Sequence, residues 1–317
     1  MNPNAPAYGI FVAKLNSTGQ KILYSTVITG SADCAPNCFA NTPKTLGVGI
    51  AVDGSGNALV TGISNTDLPA LPGGAVGPGS FVFKINATGN AVVCFTSLGI
   101  SLGSRPIAAD ASGNAYLTGS TNNPDFPATP GAYQTVYGPG NYQEVVAMKL
   151  SPSGATLWAT FLDDQSNSDA LSVSINLDNS DNAWLTGTNG TTSAQDANFV
   201  AELSADGCAL PYTANFPVGR AGQDIAVDPA GVVHYAGSIG LVSTITPTEP
   251  LAQRALSIVN AASWQFLGTV APGEIISIYG VGLGPATPVV ATPGNGSFPT
   301  SLGGVQVLAN GTPIPLL

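Results

Sequence analysis

The chain has 317 residues, enough for one large or two modest domains, yet only 8% of them are charged, far below the roughly 25% of an average soluble protein. With 18 acidic against 8 basic side chains the net charge is −10. No Lys/Arg cluster interrupts that field, which excludes nucleic acid and other polyanions as partners. The longest apolar stretches, such as ALSIVNAA at 255–262, fall far short of the ~20 residues that cross a bilayer as a helix, so no membrane insertion is expected.

In chain order, the N-terminal MNPNAPAYG has no basic segment followed by an apolar core, so any export signal is expected to be removed or to lie outside this chain. FVAKLNSTGQKILYST, residues 11–26, then reads as two β-prone runs around a turn, a hairpin. In the following loop Cys34 and Cys38 have the spacing of a small disulfide ring in an oxidising compartment. Two thiols without nearby Cys or His make half a metal site at best. The next phrase, VGIAVDGSGNALVTG at 48–62, is a second hairpin. Its Asp53 is placed to accept hydrogen bonds from the turn amides, and its Gly56 to take the positive φ of a tight reversal.

Both phrases return. The first recurs at 81–96, 145–160 and 199–214, the second as DASGNAYLTG at 110–119, DNSDNAWLTG at 178–187 and DPAGVVHYAG at 228–237. The spacing from Asp53 to Asp110, Asp178 and Asp228 is 57, 68 and 50 residues, and the difference lies in loops such as 67–79 and 122–143. Two hairpins per unit predict four short antiparallel strands, and such units repeated radially are propeller blades. No segment keeps a helical apolar period, and Gly or Pro breaks nearly every window. The expected fold is therefore all-β, with four units followed by a fragment, GLVSTIT at 240–246, that reads as one strand of another.

FVAKLN, YST, GIAVD-x-x-GNA-x-x-TG and PDFPATPGAYQ together resemble the bacterial β-propeller repeat called SBBP, over residues 8–246. The resemblance implies an exported protein, extracellular or at the cell surface, and a ring of seven blades. This chain shows four units, so the ring either closes on four or is completed by other blades or a second chain. An open end would leave unpaired strand edges that invite self-association. After a connector at 247–255, residues 256–317 resemble an immunoglobulin-like C-terminal module of the same class of proteins. About seven strands make such a sandwich, and four or five are legible here. The domains read as 1–246, a linker at 247–255, and a partial sandwich at 256–317.

Candidate chemistry is sparse. His234, the one histidine, stands where Leu59, Tyr116 and Trp184 stand in other units, which reads as a packing position rather than a general base. Asp163, Asp164 and Asp169 form the best loop cluster for a paired-carboxylate mechanism, but read more simply as solvated acids. Asp178 and Asp181 could serve calcium, yet D-x-x-G-N does not reproduce the twelve-residue calcium loop, and turn capping is the favoured reading. No cofactor is expected. Phe126 and Tyr133 are expected to pack their loop onto a blade, leaving Tyr137 and Tyr142, with Asn141 and Gln143, as the freer rings and amides for a sugar or a protein surface. Lys14, Lys84 and Lys149 share one strand position, replaced by Glu202 in the fourth unit, and read as a solvent-facing edge. Cys94 reads as a buried thiol, and a bridge to Cys208 stays open. The function expected is a non-catalytic binding, adhesion or scaffold module for a polysaccharide or protein surface. A polymer-acting hydrolase or lyase, and a structural subunit of a larger assembly, are the alternatives.

Overall fold

A computed structural model describes residues 9–28, 45–64, 68–71, 74–76, 79–138, 142–162, 170–189, 197–217, 222–237, 242–245, 254–260, 275–281, 289–292, 298–309 and 312–316. All regular structure among them is strand, and no helix there is long and apolar enough to cross a membrane. The chain divides into two compact units, Met1–Thr246 and Pro247–Leu317.

The first unit opens with β1 (Ile10–Leu15) and β2 (Ile22–Ile28), an antiparallel pair. Next come β3 (Thr45–Val52) and β4 (Ala58–Ser64), a small hairpin of β5 (Leu68–Leu71) and β6 (Gly74–Val76), then β7 (Gly79–Ile85) and β8 (Val92–Ser97). The sheet order β3-β4-β7-β8 makes a four-stranded antiparallel blade. The same blade recurs as β9 (Ser101–Ala109), β10 (Ala115–Thr121), β11 (Glu144–Leu150) and β12 (Thr156–Leu162). It recurs again as β13 (Ala170–Leu177), β14 (Ala183–Asn189), β15 (Ala197–Leu203) and β16 (Tyr212–Pro217). β17 (Gly222–Val227), β18 (Val233–Gly237) and β19 (Val242–Ile245) form a three-stranded sheet.

This pairing corrects the phase of the repeat. Each Asp-bearing hairpin shares a sheet with the hairpin that follows it, not the one before: Leu59 pairs with Lys84, Tyr116 with Lys149 and Trp184 with Glu202. Among the described residues there are three complete four-stranded blades, flanked by the two outer strands of a preceding one and three strands of a following one. Residues 242–245 are the third strand of that last blade, not the first of another.

The first strands of successive blades lie side by side. β9 and β13 share a parallel bridge at Arg105 and Ser174, and Ser174 Oγ donates to Asp224 Oδ1 in β17 at 2.8 Å. A Cβ on Gly49 in β3 would come within 2.9 Å of Pro106 in β9. Alternate apolar residues fill the space between blades, as Leu59, Ile107, Leu117, Val146 and Phe161 do in one cluster, as the period-two direction of strand side chains requires. Trp184 is fully buried and Trp158 nearly so.

Outer strands meet the outer turn of the next blade in a repeated contact. Thr26 Oγ1 donates to the Gly89 carbonyl, Thr96 Oγ1 to that of Gly154 at 3.0 Å, and Trp158 Nε1 to that of Ala205 at 3.0 Å. Beside these bonds Tyr24, Cys94 and Trp158 lie against Gly89, Gly154 and Gly207, with no room for a Cβ at Gly89 or Gly207.

In the second unit, β20 (Arg254–Asn260) pairs with β21 (Ile276–Val281) and β22 (Leu308–Ala309) with β23 (Thr312–Pro313). β20 begins inside the stretch read as a linker, whose last two residues it uses.

Candidate binding surface

Each Asp turn is built by its own aspartate. Asp53 Oδ1 accepts the amides of Ser55 and Asn57 at 3.0 and 2.9 Å, and Oδ2 accepts Asn57 Nδ2 at 2.8 Å. Asp110 with Asn114, and Asp178 with Asn182, repeat this arrangement. The asparagine links hairpins too, because Asn57 Oδ1 accepts the Ala87 amide and Asn182 Oδ1 that of Ala205.

Two of the three lysines read as a solvent-facing edge, Lys84 and Lys149, are instead internal, and Lys14 is half-buried. Lys84 is buried, its Nζ 2.7 Å from Asp53 Oδ2, and it also donates to the Gly113 carbonyl in the next blade's turn at 3.2 Å. Lys149 lies 3.7 Å from Asp110 Oδ2 and over the Tyr116 ring. Burial pushes the Asp53 carboxyl up, but the bonds from Lys84 and Asn57 and the lysine's charge outweigh it and hold the group below its ordinary range. One strand position thus ties together a blade's turn and, through Lys84, the turn of its neighbour.

The third blade breaks the pattern. Glu202 stands where the lysine stands elsewhere, and Asn182 Nδ2 donates both to Asp178 Oδ2 at 3.0 Å and to Glu202 Oε1 at 3.1 Å. Trp184 Nε1 also points to Asp178 Oδ2, at 3.4 Å. Burial and then the charge of Asp178 push the Glu202 carboxyl up, against the bond from Asn182. A carboxyl raised in the folded state stabilises below its unfolded pKa and loses that contribution as pH rises through the folded one. Glu202→Lys is therefore expected to raise stability at pH 7 by about 1 kcal/mol by restoring the pairing seen at Asp53, with a smaller gain at pH 4, measured by urea denaturation at both values. An unchanged midpoint at pH 7 would refute it.

Asp181 is the only non-glycine residue with positive φ among the described residues, at 60°, where Gly56, Gly113 and Gly231 stand in the other turns. Asp178 and Asp181 belong to this turn, and no group of three or more His, Cys, Asp or Glu side chains gathers as a metal site among the described residues. His234 Nε2 lies 3.1 Å from Asp228 Oδ2, and both side chains are partly exposed. The Val232 amide, and then His234, hold the Asp228 carboxyl below its usual range. His234 is thus a partly exposed partner of its turn, not a filled core position. Asp163, Asp164, Asp169, Asn141, Cys34 and Cys38 lie outside the described residues. Cys94 is half-buried, Cys208 exposed, and both are free thiols.

The segment 126–138 is fastened along β12. Thr129 N donates to the Ala159 carbonyl at 2.9 Å, Phe161 N to the Gln134 carbonyl at 3.0 Å, and Gln134 N to Thr160 Oγ1 at 2.9 Å. It then reaches the next blade, where Tyr133 N donates to the Gly207 carbonyl at 2.8 Å. The outer edge of this blade is thereby covered. Phe126 is buried edge-on to Phe161, as expected. Tyr133 and Tyr137 exchange their expected roles. Tyr137 is half-buried, edge-on to Phe161, with its hydroxyl donating to the Tyr142 carbonyl. Tyr133 is 42% exposed and Tyr142 40%. Gln143 uses its carbonyl to accept the Ala170 amide at 2.6 Å, and Glu144 Oε1 accepts the Gly138 amide. Val136, which sequence reasoning passed over, is 72% exposed on the same segment. A lone apolar residue in a Gly- and Pro-rich loop was its one signal.

A family model described as a β-propeller repeat, SBBP, matches residues 99–127, which span β9, β10 and the start of this segment. The crystal structure of BamB from Moraxella catarrhalis aligns with 76% of this chain and 86% of its own, at 13% identity and a TM-score of 0.23. No curated protein matches the sequence.

Proposed function

We propose that the chain is a non-catalytic, exported repeat module that binds a polymer surface, polysaccharide or protein, through the segment 126–143. The observation that carries this reading is a fastened loop with exposed rings: the backbone of 129–134 is bonded to β12 and to the next blade, while Tyr133 and Tyr142 stay open to solvent. Rings held in place before the ligand arrives lose little freedom on binding, and flat aromatic faces suit sugar rings or apolar side chains. The net charge of −10 favours a neutral or basic ligand over an anionic one.

Affinity electrophoresis through gels containing neutral polysaccharides, or basic protein surfaces, tests it. Tyr133→Ala and Tyr142→Ala are each expected to weaken retention about 5- to 10-fold, near 1 kcal/mol per ring, while Val93→Ser, remote in sequence on β8, leaves it unchanged. Equal retention by all three variants would refute the loop as the site. A hydrolase or lyase has the His234–Asp228 contact as its one point of support. Released products that vanish in His234→Ala would install that reading instead.

A further inference from the structure

The half-blade β1–β2 keeps the repeat's residues without the neighbours those residues have elsewhere. Phe11 stands at the position of Phe81 and is 73% exposed where Phe81 is 1%. Leu15 stands at that of Ile85, at 52% against 0%. In β3, Ile50 is 58% exposed where Ile107, its equivalent in β9, is 7%. In a complete blade the Asp-bearing hairpin covers these positions, pairing its second strand with the lysine-bearing strand. β1 pairs with β2 and has no such hairpin on its other edge among the described residues.

The opposite end of the array has the converse defect. β17–β18 is an Asp-bearing hairpin whose third strand, β19, spans four described residues and has no fourth strand beside it among the described residues. Thr244 in β19 faces His234, at the position held by Lys84 and Lys149 in complete blades. Asp228 therefore has no lysine partner among the described residues. Lys14 has no carboxylate partner among the described residues, although its Nζ already reaches the Gly56 turn as Lys84 reaches Gly113.

We infer that the two ends are complementary between copies: β1–β2 of one chain adds to β18 of a second, displacing the short β19 and completing a four-stranded blade in which Lys14 pairs with Asp228. Strand addition to an open edge supplies main-chain hydrogen bonds, and exchanging an equivalent element between protomers costs little. The register follows from the complete blades, where lysine lies opposite the residue six places after the aspartate, so Lys14 faces His234. β3 of the first copy then lies beside β17 of the second, as β9 lies beside β13, and Ile50 is covered. The contact is head to tail, so it builds rings where the rotation closes and filaments where it does not. It goes beyond ligand binding and uses none of the residues 126–143.

The test is zero-length carbodiimide cross-linking of an equimolar mixture of 14N- and 15N-labelled full-length chain, with mass spectrometry of the linked peptides and sedimentation velocity over a concentration series. The expected result is concentration-dependent association and a Lys14–Asp228 link of mixed isotope composition. Phe11→Ser, at a position open in the single chain, and Lys14→Glu, at a half-buried one, are each expected to raise the dissociation constant at least 10-fold. A monomer at every concentration, a Lys14–Asp228 link of one isotope only, or association unaffected by both variants would overturn the inference. Polysaccharide retention is read separately, so loss of one result leaves the other standing.

Discussion

Gly207→Ala is expected to cost about 2–5 kcal/mol of unfolding free energy. Two effects combine. Gly207 has φ 73°, a left-handed conformation that costs an L-residue roughly 1–2 kcal/mol. Its Cβ would also fall 2.5 Å from the Trp158 ring, and forcing extra volume into a packed contact costs typically about 1–3 kcal/mol. The ring cannot easily swing away, since it is buried and its Nε1 is bonded to the Ala205 carbonyl. Gly231→Ala is the control: its φ is 80° but a Cβ there meets nothing within 4 Å, so only the backbone cost of roughly 1–2 kcal/mol applies. Guanidinium denaturation of the two variants, and of Gly207→Ala in a Trp158→Ala background, separates the terms. Equal losses for Gly207→Ala and Gly231→Ala would disprove the inter-blade clash.

The second large effect is at Lys84. Lys84→Met keeps the stem's apolar packing and removes the ammonium 2.7 Å from Asp53, whose side chain is 2% exposed. An isolated buried carboxylate is strongly destabilising, and breaking such a pair costs about 3–5 kcal/mol. The sign of the pH dependence follows. The folded Asp53 carboxyl lies below its ordinary value, so its contribution is present above the unfolded pKa and is lost as pH falls through the folded one. In Lys84→Met burial is no longer opposed by the ammonium, and protonation relieves the buried charge. The difference between parent and variant should therefore be largest near pH 7 and shrink as pH falls below 4, followed by thermal unfolding across that range. A difference constant with pH would mean that Lys84 acts through packing alone. Asp53→Asn combined with Lys84→Met should recover part of the loss, because the amide still offers an oxygen to the Ser55 and Asn57 amides.

The lysine position also shows where sequence reading fails for a physical reason. Lysine is almost never buried unless paired, and its partner here is distant in sequence: Asp53 is on another hairpin of the same blade, and the Gly113 carbonyl is on the next blade. A strand pattern records alternation, and alternation cannot name a partner across blades. Tyr133 and Tyr137 differ for a similar reason. They are four residues apart in one irregular segment, and which ring turns inward depends on Phe161 and on the bonds that fasten the loop to β12. Val136 had no pattern to belong to. The Asp-x-x-Gly-Asn turns were legible to the atom because their hydrogen bonds close within five residues.

By itself the sequence determined the hairpins, their turns and the recurring unit, since local propensity, turn chemistry and period-two alternation act over a few residues. It also set the acidic, charge-poor composition. Tertiary structure alone decided which hairpins share a sheet. A chain of alternating hairpins can be divided into blades in two phases, and both leave the sequence repeat unchanged. Inter-strand hydrogen bonds chose one of them, and so, among the described residues, left Lys14 at one end and Asp228 at the other without the partners that the same positions hold within complete blades.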